Sequence, residues 1–328
     1  MNTTQTRWRF RPDHSNWGDY GPDDRLGQLN EITPERRRRA LEEATDGIAF
    51  CLSLPLDKGP RLNASRHPPS LAAALRDGRP RYNQCARDLH AGLTDVVCDD
   101  RVTLYTQFST QWDALAHVGA LFDADGDGEP EIRYYNGWPP ADIGLSALGI
   151  EHMAATGVQG RGVMIDLHRH FGTARVQVGY EKLARILDID GIVVEPGDMV
   201  CLHTGFAQLL LDGAPRTAED LAQACPVLDG SDRQLHEWIS ATRIAVLAAD
   251  NVAVEARPAA PEAGYSGPLL PLHEHCLFKR GVHLGELWHL TPLARWLHAH
   301  QRYRFLLTAP PLRLPGAAGS PATPVATV

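Results

Sequence analysis

The feature that most constrains this chain is an alternation. Short apolar runs of β character, at Ile48–Leu54, Val102–Tyr105, Gly162–Leu167, Met199–His203, Ile244–Ala248 and Arg304–Thr308, are interleaved with helical patterns at Gly144–Thr156, Tyr180–Leu187, Ser231–Ser240 and Leu293–His298. Such a succession predicts an α/β fold, because a sheet and its helices each have an apolar surface that only the other can cover. Near the start, Thr33-Pro34-Glu35 predicts a helix opening: a hydroxyl to cap free amides, a proline whose missing N–H costs nothing there, and a carboxylate at the positive end of the dipole. That helix is expected to run to about Thr45, with Gly47 just past its end. At 328 residues the chain can bury a sizeable core, and no repeat or low-complexity linker divides it. A single domain over 1–328 is the simpler reading, with Pro/Gly/Ala-rich loops at 257–271 and 315–328.

Charge and composition narrow the function classes. Asp and Glu outnumber Lys and Arg by 40 to 32, a formal charge of −8, which argues against binding nucleic acid or an anionic membrane through a general positive field. The one basic run, Arg36–Arg39, sits in a helical pattern and is expected to form a solvated face. No apolar stretch approaches the ~20 residues of a membrane helix, and residues 1–24 lack the apolar centre of a signal peptide, so a cytoplasmic protein is expected. The six cysteines are scattered with no C-x-x-C, which predicts buried small hydrophobes rather than a zinc ribbon or a disulfide framework.

Several common sites are absent: there is no G-x-x-x-x-G-K-[ST], no G-x-G-x-x-G and no H-E-x-x-H, and Ser146 and Ser266 both miss the spacing of G-x-S-x-G. The run Asp123-Ala-Asp125-Gly-Asp127-Gly128 matches the first half of an EF-hand loop, but Tyr134 stands where the bidentate Glu is needed, so a polar turn is the expectation.

Two segments carry candidate chemistry. In Gln107-Phe-Ser-Thr-Gln111-Trp-Asp113-Ala-Leu-Ala-His117, Asp113 and His117 share a face if the segment is helical, and Gln111 and Asp113 share one if its entry is extended. A carboxylate, an imidazole and an amide at a strand-to-helix junction would make a hydrolytic centre; by itself an i,i+4 Asp/His pair also fits a surface contact. Late in the chain, His273-Glu274-His275 and Gly281-Val-His283-Leu-Gly-Glu286-Leu-Trp-His289 bring imidazoles and a carboxylate close enough in sequence to suggest a metal site, although with 15 histidines some clustering arises by chance.

With these segments in view the chain resembles the cyclase family that includes bacterial kynurenine formamidases (arylformamidases) and isatin hydrolase. The marks run in order: Trp17-Gly18 and Asp24-Arg-Leu-Gly27-Gln-Leu-Asn30 through Glu35; the family's H-x-G-T-H-x-D-x-x-x-H on Gln107 to His117; Tyr135-Asn136-Gly137; Gly160 to Asp166 with Arg169-His170; Gly197-Asp198 through Gly205; Ala249-Asp250-Asn251; Pro271-Leu272-His273; Gly281 to Glu286; and Gly319-Ser320-Pro321. The resemblance implies a twisted, barrel-like sheet flanked by helices and a divalent-metal site that activates water for hydrolysis of an amide-type C–N bond. It places Asp113 among the ligands, His117 as general base or proton shuttle, and His273 and Glu286 as the distal ligands. It also implies a homo-oligomer.

The departure from the motif is chemical. Both of its metal-binding histidines are replaced, by Gln107 and Gln111. An amide oxygen suits hard ions better than zinc, so the expected cofactor is a divalent cation, manganese ahead of zinc, with Gln111 joining Asp113, His273 and Glu286, unless the exchange has abolished the site. Phe108, Trp112, Tyr135 and Trp138 either line a pocket for a flat or cyclic substrate or pack the core. His170 and His203 each follow a strand-like run and are further candidates for that pocket, or else buried and hydrogen-bonded. Three functions follow: hydrolysis of an amide, lactam or lactone of a small molecule by metal-activated water, metal-independent cyclisation or dehydration by Asp113 and His117, or non-catalytic binding of a small molecule.

Overall fold

The computed structural model describes residues 7–60, 62, 65–145, 147–256 and 264–328, so Ser146 and part of the 257–271 stretch lie outside the described residues. Its frame is a nine-stranded sheet that curls into a half-barrel. In chain order the strands are β1 (Ala49–Cys51), β2 (Gln111–Asp113), β3 (Gln159–Asp166), β4 (Met199–His203), β5 (Val246–Ala249), β6 (His283–Glu286), β7 (Arg304–Thr308), β8 (Gly319–Pro321) and β9 (Val325–Thr327). Their spatial order is β1-β9-β7-β3-β4-β5-β6-β2-β8. The four central strands β3, β4, β5 and β6 are parallel, and antiparallel strands flank them on both sides.

The central strands read as continuous apolar runs because both faces of the sheet are covered. Val163 and Ile165 of β3, Val200 and Leu202 of β4 and Leu247 and Ala249 of β5 face one core, with helices Tyr180–Ile189 and Arg233–Thr242 packed on it. The alternate residues Met164, Met199, Cys201, Val246 and Ala248 face a second core closed by helix Thr291–Ala299. The C-terminal ends of the four parallel strands carry polar groups instead: Asp166, His203, Asp250 just past β5, and Glu286. In open α/β sheets that edge is where ligands bind.

The helix opened by Thr33 is present, with the Thr33 hydroxyl accepting from Arg36 N at 3.2 Å, but it spans Pro34–Leu41 and ends short of Thr45. Its arginines do more than coat a solvated face. Arg36 binds the Glu31 carboxylate at 2.7 Å, Arg37 donates to the Gln159 carbonyl at 3.2 Å and Arg39 pairs with Glu195 at 3.1 Å. The Arg37 bond ties the helix to the start of β3, and the other two tie it to Glu31 and to Glu195. Of the cysteines, Cys201, Cys225 and Cys276 are buried as expected, whereas Cys51, Cys85 and Cys98 are exposed. The acidic run is a turn whose carboxylates are turned onto its own backbone: Asp123 accepts from Gly126 N and Gly128 N, and Asp127 from Glu129 N. A strand, Ala120–Phe122, precedes it where an EF-hand needs a helix. Asp123, Asp125 and Glu131 still lie close enough together to be counted as a group that could hold an ion. Among the described residues no helix is long and apolar enough to cross a membrane.

Candidate functional site

The Gln107–His117 segment is a strand followed by a turn, not the entry to a helix. β2 is paired on both sides, with β6 and with β8, and those ladders claim the backbone groups that a helix would have used for itself. Strand alternation then sorts the side chains. Gln111 and Asp113 point to one side together with Glu286, which lies directly across from Gln111 on β6. Trp112 points to the other side, fully buried, its indole donating to the Ala309 carbonyl at 2.7 Å and its ring edge-on to Trp288. The candidate substrate contact at Trp112 is therefore a core residue. Beyond β2 the turn closed by His117 N and the Ala114 carbonyl at 2.9 Å folds the chain back, so that His117 Nε2 lies 3.8 Å from Asp113 Oδ1. The i,i+4 approach is real, but a turn produces it.

His273 arrives from the far segment. It sits in the first helical turn after Leu270, and the buried carboxylate of Glu255 caps that turn by accepting from Leu272 N at 3.0 Å and His273 N at 2.9 Å. Glu255 also accepts from His273 Nδ1 at 2.7 Å, which fixes the ring with Nε2 turned toward Glu286 Oε1 at 3.4 Å and Asp113 Oδ2 at 4.0 Å. The room for this cap comes from Gly230, where a methyl would stand 1.7 Å from Glu255 Oε2. Asp113, His273 and Glu286, all buried, present ligand atoms within 4.8 Å of one another and form a candidate metal site.

The electrostatics of the cluster are those of charges held out of water. Burial raises the Asp113 carboxyl, and the neighbouring Glu286 adds to that, against the pull of His117, His273 and Arg66. For Glu286 burial is outweighed by the hydrogen bond and charge of His273, and its carboxyl is lowered. Burial would neutralise His273, yet Glu255, Glu286 and Asp113 push it up to about 10, so in the absence of a cation an imidazolium balances the carboxylates. Within the cluster two buried oxygens, Asp113 Oδ2 and Gln111 Oε1, have no hydrogen-bond partner among the described residues. Gln111 Nε2 donates to Asp113 Oδ1 at 3.2 Å, which leaves its oxygen as the unused end. Two carboxylates, one imidazole and an orphaned amide oxygen suit a hard divalent cation.

Above this floor a cavity of about 90 Å³ opens, lined by Gln107, His117, His273 and Glu286. Phe108, Leu287, Val252 and Leu270 supply apolar walls, and Arg66 a guanidinium. Gly319, opposite Asp113 on β8, lets the Gln107 amide lie over that strand, since a methyl there would meet Gln107 Nε2 at 2.6 Å. Of the expected substrate contacts only Phe108 lines this cavity. Tyr135 is fully buried with its hydroxyl on Asp24 at 3.2 Å, and Trp138 is stacked under the Arg7 guanidinium at 3.4 Å. His170 pairs with Asp190 at 2.8 Å on a different surface. His203 lies on the opposite face of the sheet, held by Asp166 at 2.7 Å and Thr291 at 3.0 Å, which is the buried, hydrogen-bonded alternative. Sequence reasoning missed Glu255, Arg66 and Leu287; none of them stands in a local pattern that would single it out.

The family model described as "Putative cyclase" matches residues 52–256. Among solved structures the chain is similar to one described as a novel cyclase, at 31% identity and a TM-score of 0.77, covering 97% of this chain and 100% of the other. It also matches isatin hydrolase A from Labrenzia aggregata bound to benzyl benzoate, at 16% identity and a TM-score of 0.56, over 86% of this chain and 93% of the other. Isatin hydrolase A from Ralstonia solanacearum matches at 14% identity and a TM-score of 0.55, over 90% and 97%. These last two likenesses are of fold. No curated protein matches the chain.

Proposed function

The chain belongs to the cyclase family, and from that premise we propose that it is a hydrolase that adds water to the carbonyl of a small cyclic or aromatic amide, formamide, lactam or lactone, as arylformamidases do. The observation that carries this reading is the convergence of Asp113, His273 and Glu286 on one point at a pocket that His117 also lines. A divalent cation at that point, manganese ahead of zinc because of the Gln111 amide, would supply Lewis acidity for the attacking water and the carbonyl.

The chain's own groups account for the rest. His117 lines the pocket with Nε2 3.8 Å from Asp113 Oδ1, a position from which that nitrogen takes the proton of the attacking water. It returns that proton to the leaving nitrogen or oxygen as the C–N or C–O bond breaks, leaving a carboxylate product. Asp113 Oδ1, 3.8 Å from His117 Nε2 and beyond hydrogen-bonding distance, is the nearest counter-charge that the structure gives it. Glu255 positions His273 and touches no substrate. Phe108 and Leu287 accept the flat face of a ring and keep bulk water off the reacting carbonyl.

The 3.8 Å contact of His117 with Asp113 also fits a metal-independent acid/base reaction on the same pocket. Protein purified without chelator separates the two readings. About one equivalent of divalent cation, with turnover of one-ring formamides, lactams or lactones that chelation abolishes and Mn²⁺ restores better than Zn²⁺, is the expected result. Turnover that survives exhaustive chelation overturns the metal-assisted reading.

A further inference from the structure

The pocket has an internal polarity that the hydrolytic chemistry does not use. Its floor is acidic, with Asp113 and Glu286 facing in and Glu255 behind His273. On its wall stands Arg66, the one Lys or Arg among the described lining residues. Arg66 Nη1 donates to the Gln107 carbonyl at 2.9 Å, which fixes the guanidinium to the segment leading into β2. Among the described residues it makes no ion pair, on a chain that carries a net charge of −8 and pairs many of its other arginines with carboxylates. A guanidinium has five N–H donors in a rigid plane, and one bond to a carbonyl leaves most of that fork unspent.

Such a fork matches a carboxylate, which it binds through two parallel charge-assisted hydrogen bonds. The floor, by contrast, presents the carboxyl groups of Asp113 and Glu286. Phe108, Leu287 and Val252 line the same cavity and supply apolar surface that a single ring would cover. We propose that the pocket selects one-ring substrates that carry a carboxylate in addition to the reacting carbonyl, with Arg66 as the anchor that holds the acid on the wall while the carbonyl faces the floor. This rests on the hydrolase reading only for which end meets the floor; the recognition of the acid is a property of the wall.

Binding tests it, measured on chelator-treated protein so that hydrolysis of the amide probes does not intrude. Calorimetric titration of the full chain with 2-acetamidobenzoate and with the neutral 2-acetamidobenzamide compares ligands that differ in the acid alone. The parent is expected to bind the acid at least tenfold more tightly. Arg66→Gln should remove that preference and leave the neutral ligand's affinity unchanged, and Arg66→Lys should restore part of it, with unchanged thermal midpoints showing that both variants fold. Equal affinities in the parent, equal losses for both ligands in Arg66→Gln, or no binding of either ligand at 5 mM would overturn the proposal. A parent that binds the acid through Arg66 but hydrolyses no amide, lactam or lactone leaves the anchor standing and overturns the hydrolase reading; hydrolysis with no preference for acids does the reverse.

Discussion

Replacing Glu255 by glutamine keeps the shape of the side chain and removes its charge. In the parent the carboxylate accepts three hydrogen bonds, from Leu272 N, His273 N and His273 Nδ1. A glutamine oxygen placed where Oε1 stands keeps the two bonds from His273 in weaker, neutral form. Its amide N–H₂ then faces the N–H of Leu272, donor against donor. A hydrogen bond to a charged group contributes about 1.5–3 kcal/mol, and breaking one side of a buried ionic contact costs about 3–5 kcal/mol, so a loss of about 3 kcal/mol in folding stability is expected. Because Glu255 also fixes the direction of His273 Nε2, cation affinity should fall by about 10–100-fold, the usual effect of removing the partner of a ligating histidine. Urea unfolding of chelator-treated protein reads the first quantity, and competition of Mn²⁺ with a chelating dye reads the second. Gly230→Ala approaches the same carboxylate from outside, with a methyl 1.7 Å from Oε2, and should lower both in the same direction. A Glu255→Gln variant with cation affinity within twofold of the parent and stability within about 1 kcal/mol would refute the argument that this carboxylate holds the centre together.

His117→Ala should leave bound cation unchanged and lower kcat by about 10²–10⁴-fold, the range for loss of a general base, and the comparison of metal content with rate checks it. Trp112→Ala should cost about 3–5 kcal/mol in urea unfolding, because the indole is fully buried and packed edge-on to Trp288, whereas a pocket residue would chiefly alter substrate KM. Burial lowers His275 to about 2 and His283 to about 3, from an ordinary 6.5. The unfolded chain therefore takes up a proton at each below pH 6.5 while the folded chain does not, so each contributes stability that is present above that pH and falls by about 1.4 kcal/mol per pH unit on acidification. His283→Met should flatten the pH dependence of urea stability between pH 6 and 5 by about that slope, and an unchanged slope would contradict the assignment.

Much of the sheet was legible because its strands are buried on both faces. Met199–His203 and Arg304–Thr308 end where the apolar runs end, and the Thr33 cap lies where its hydroxyl predicts. The segment around Asp113 was harder: Gln-Trp-Asp-Ala-Leu-Ala-His satisfies a period of two and a period near 3.6 for a few residues each. The ladders from β6 and β8, more than 160 residues further along the chain, decided between them.

The same asymmetry runs through the site. Local chemistry drew attention to the segments around Asp113–His117 and His273–Glu286, and the family resemblance, not spacing, picked Asp113, His117, His273 and Glu286 out of them. It did not separate Phe108, which lines the pocket, from Trp112, Tyr135 and Trp138, which fill the core, because an aromatic ring gains by leaving water in either place. Nor did it single out Glu255 or Arg66, whose partners come from elsewhere in the chain. Residue type and spacing are properties of neighbours along the backbone, and they settled which groups were chemically capable. Which side of a strand faces the cavity depends on the register of strands far apart in the sequence, and which carboxylate turns a histidine toward it depends on how the chain between Glu255 and His273 folds back; only the tertiary structure determines either.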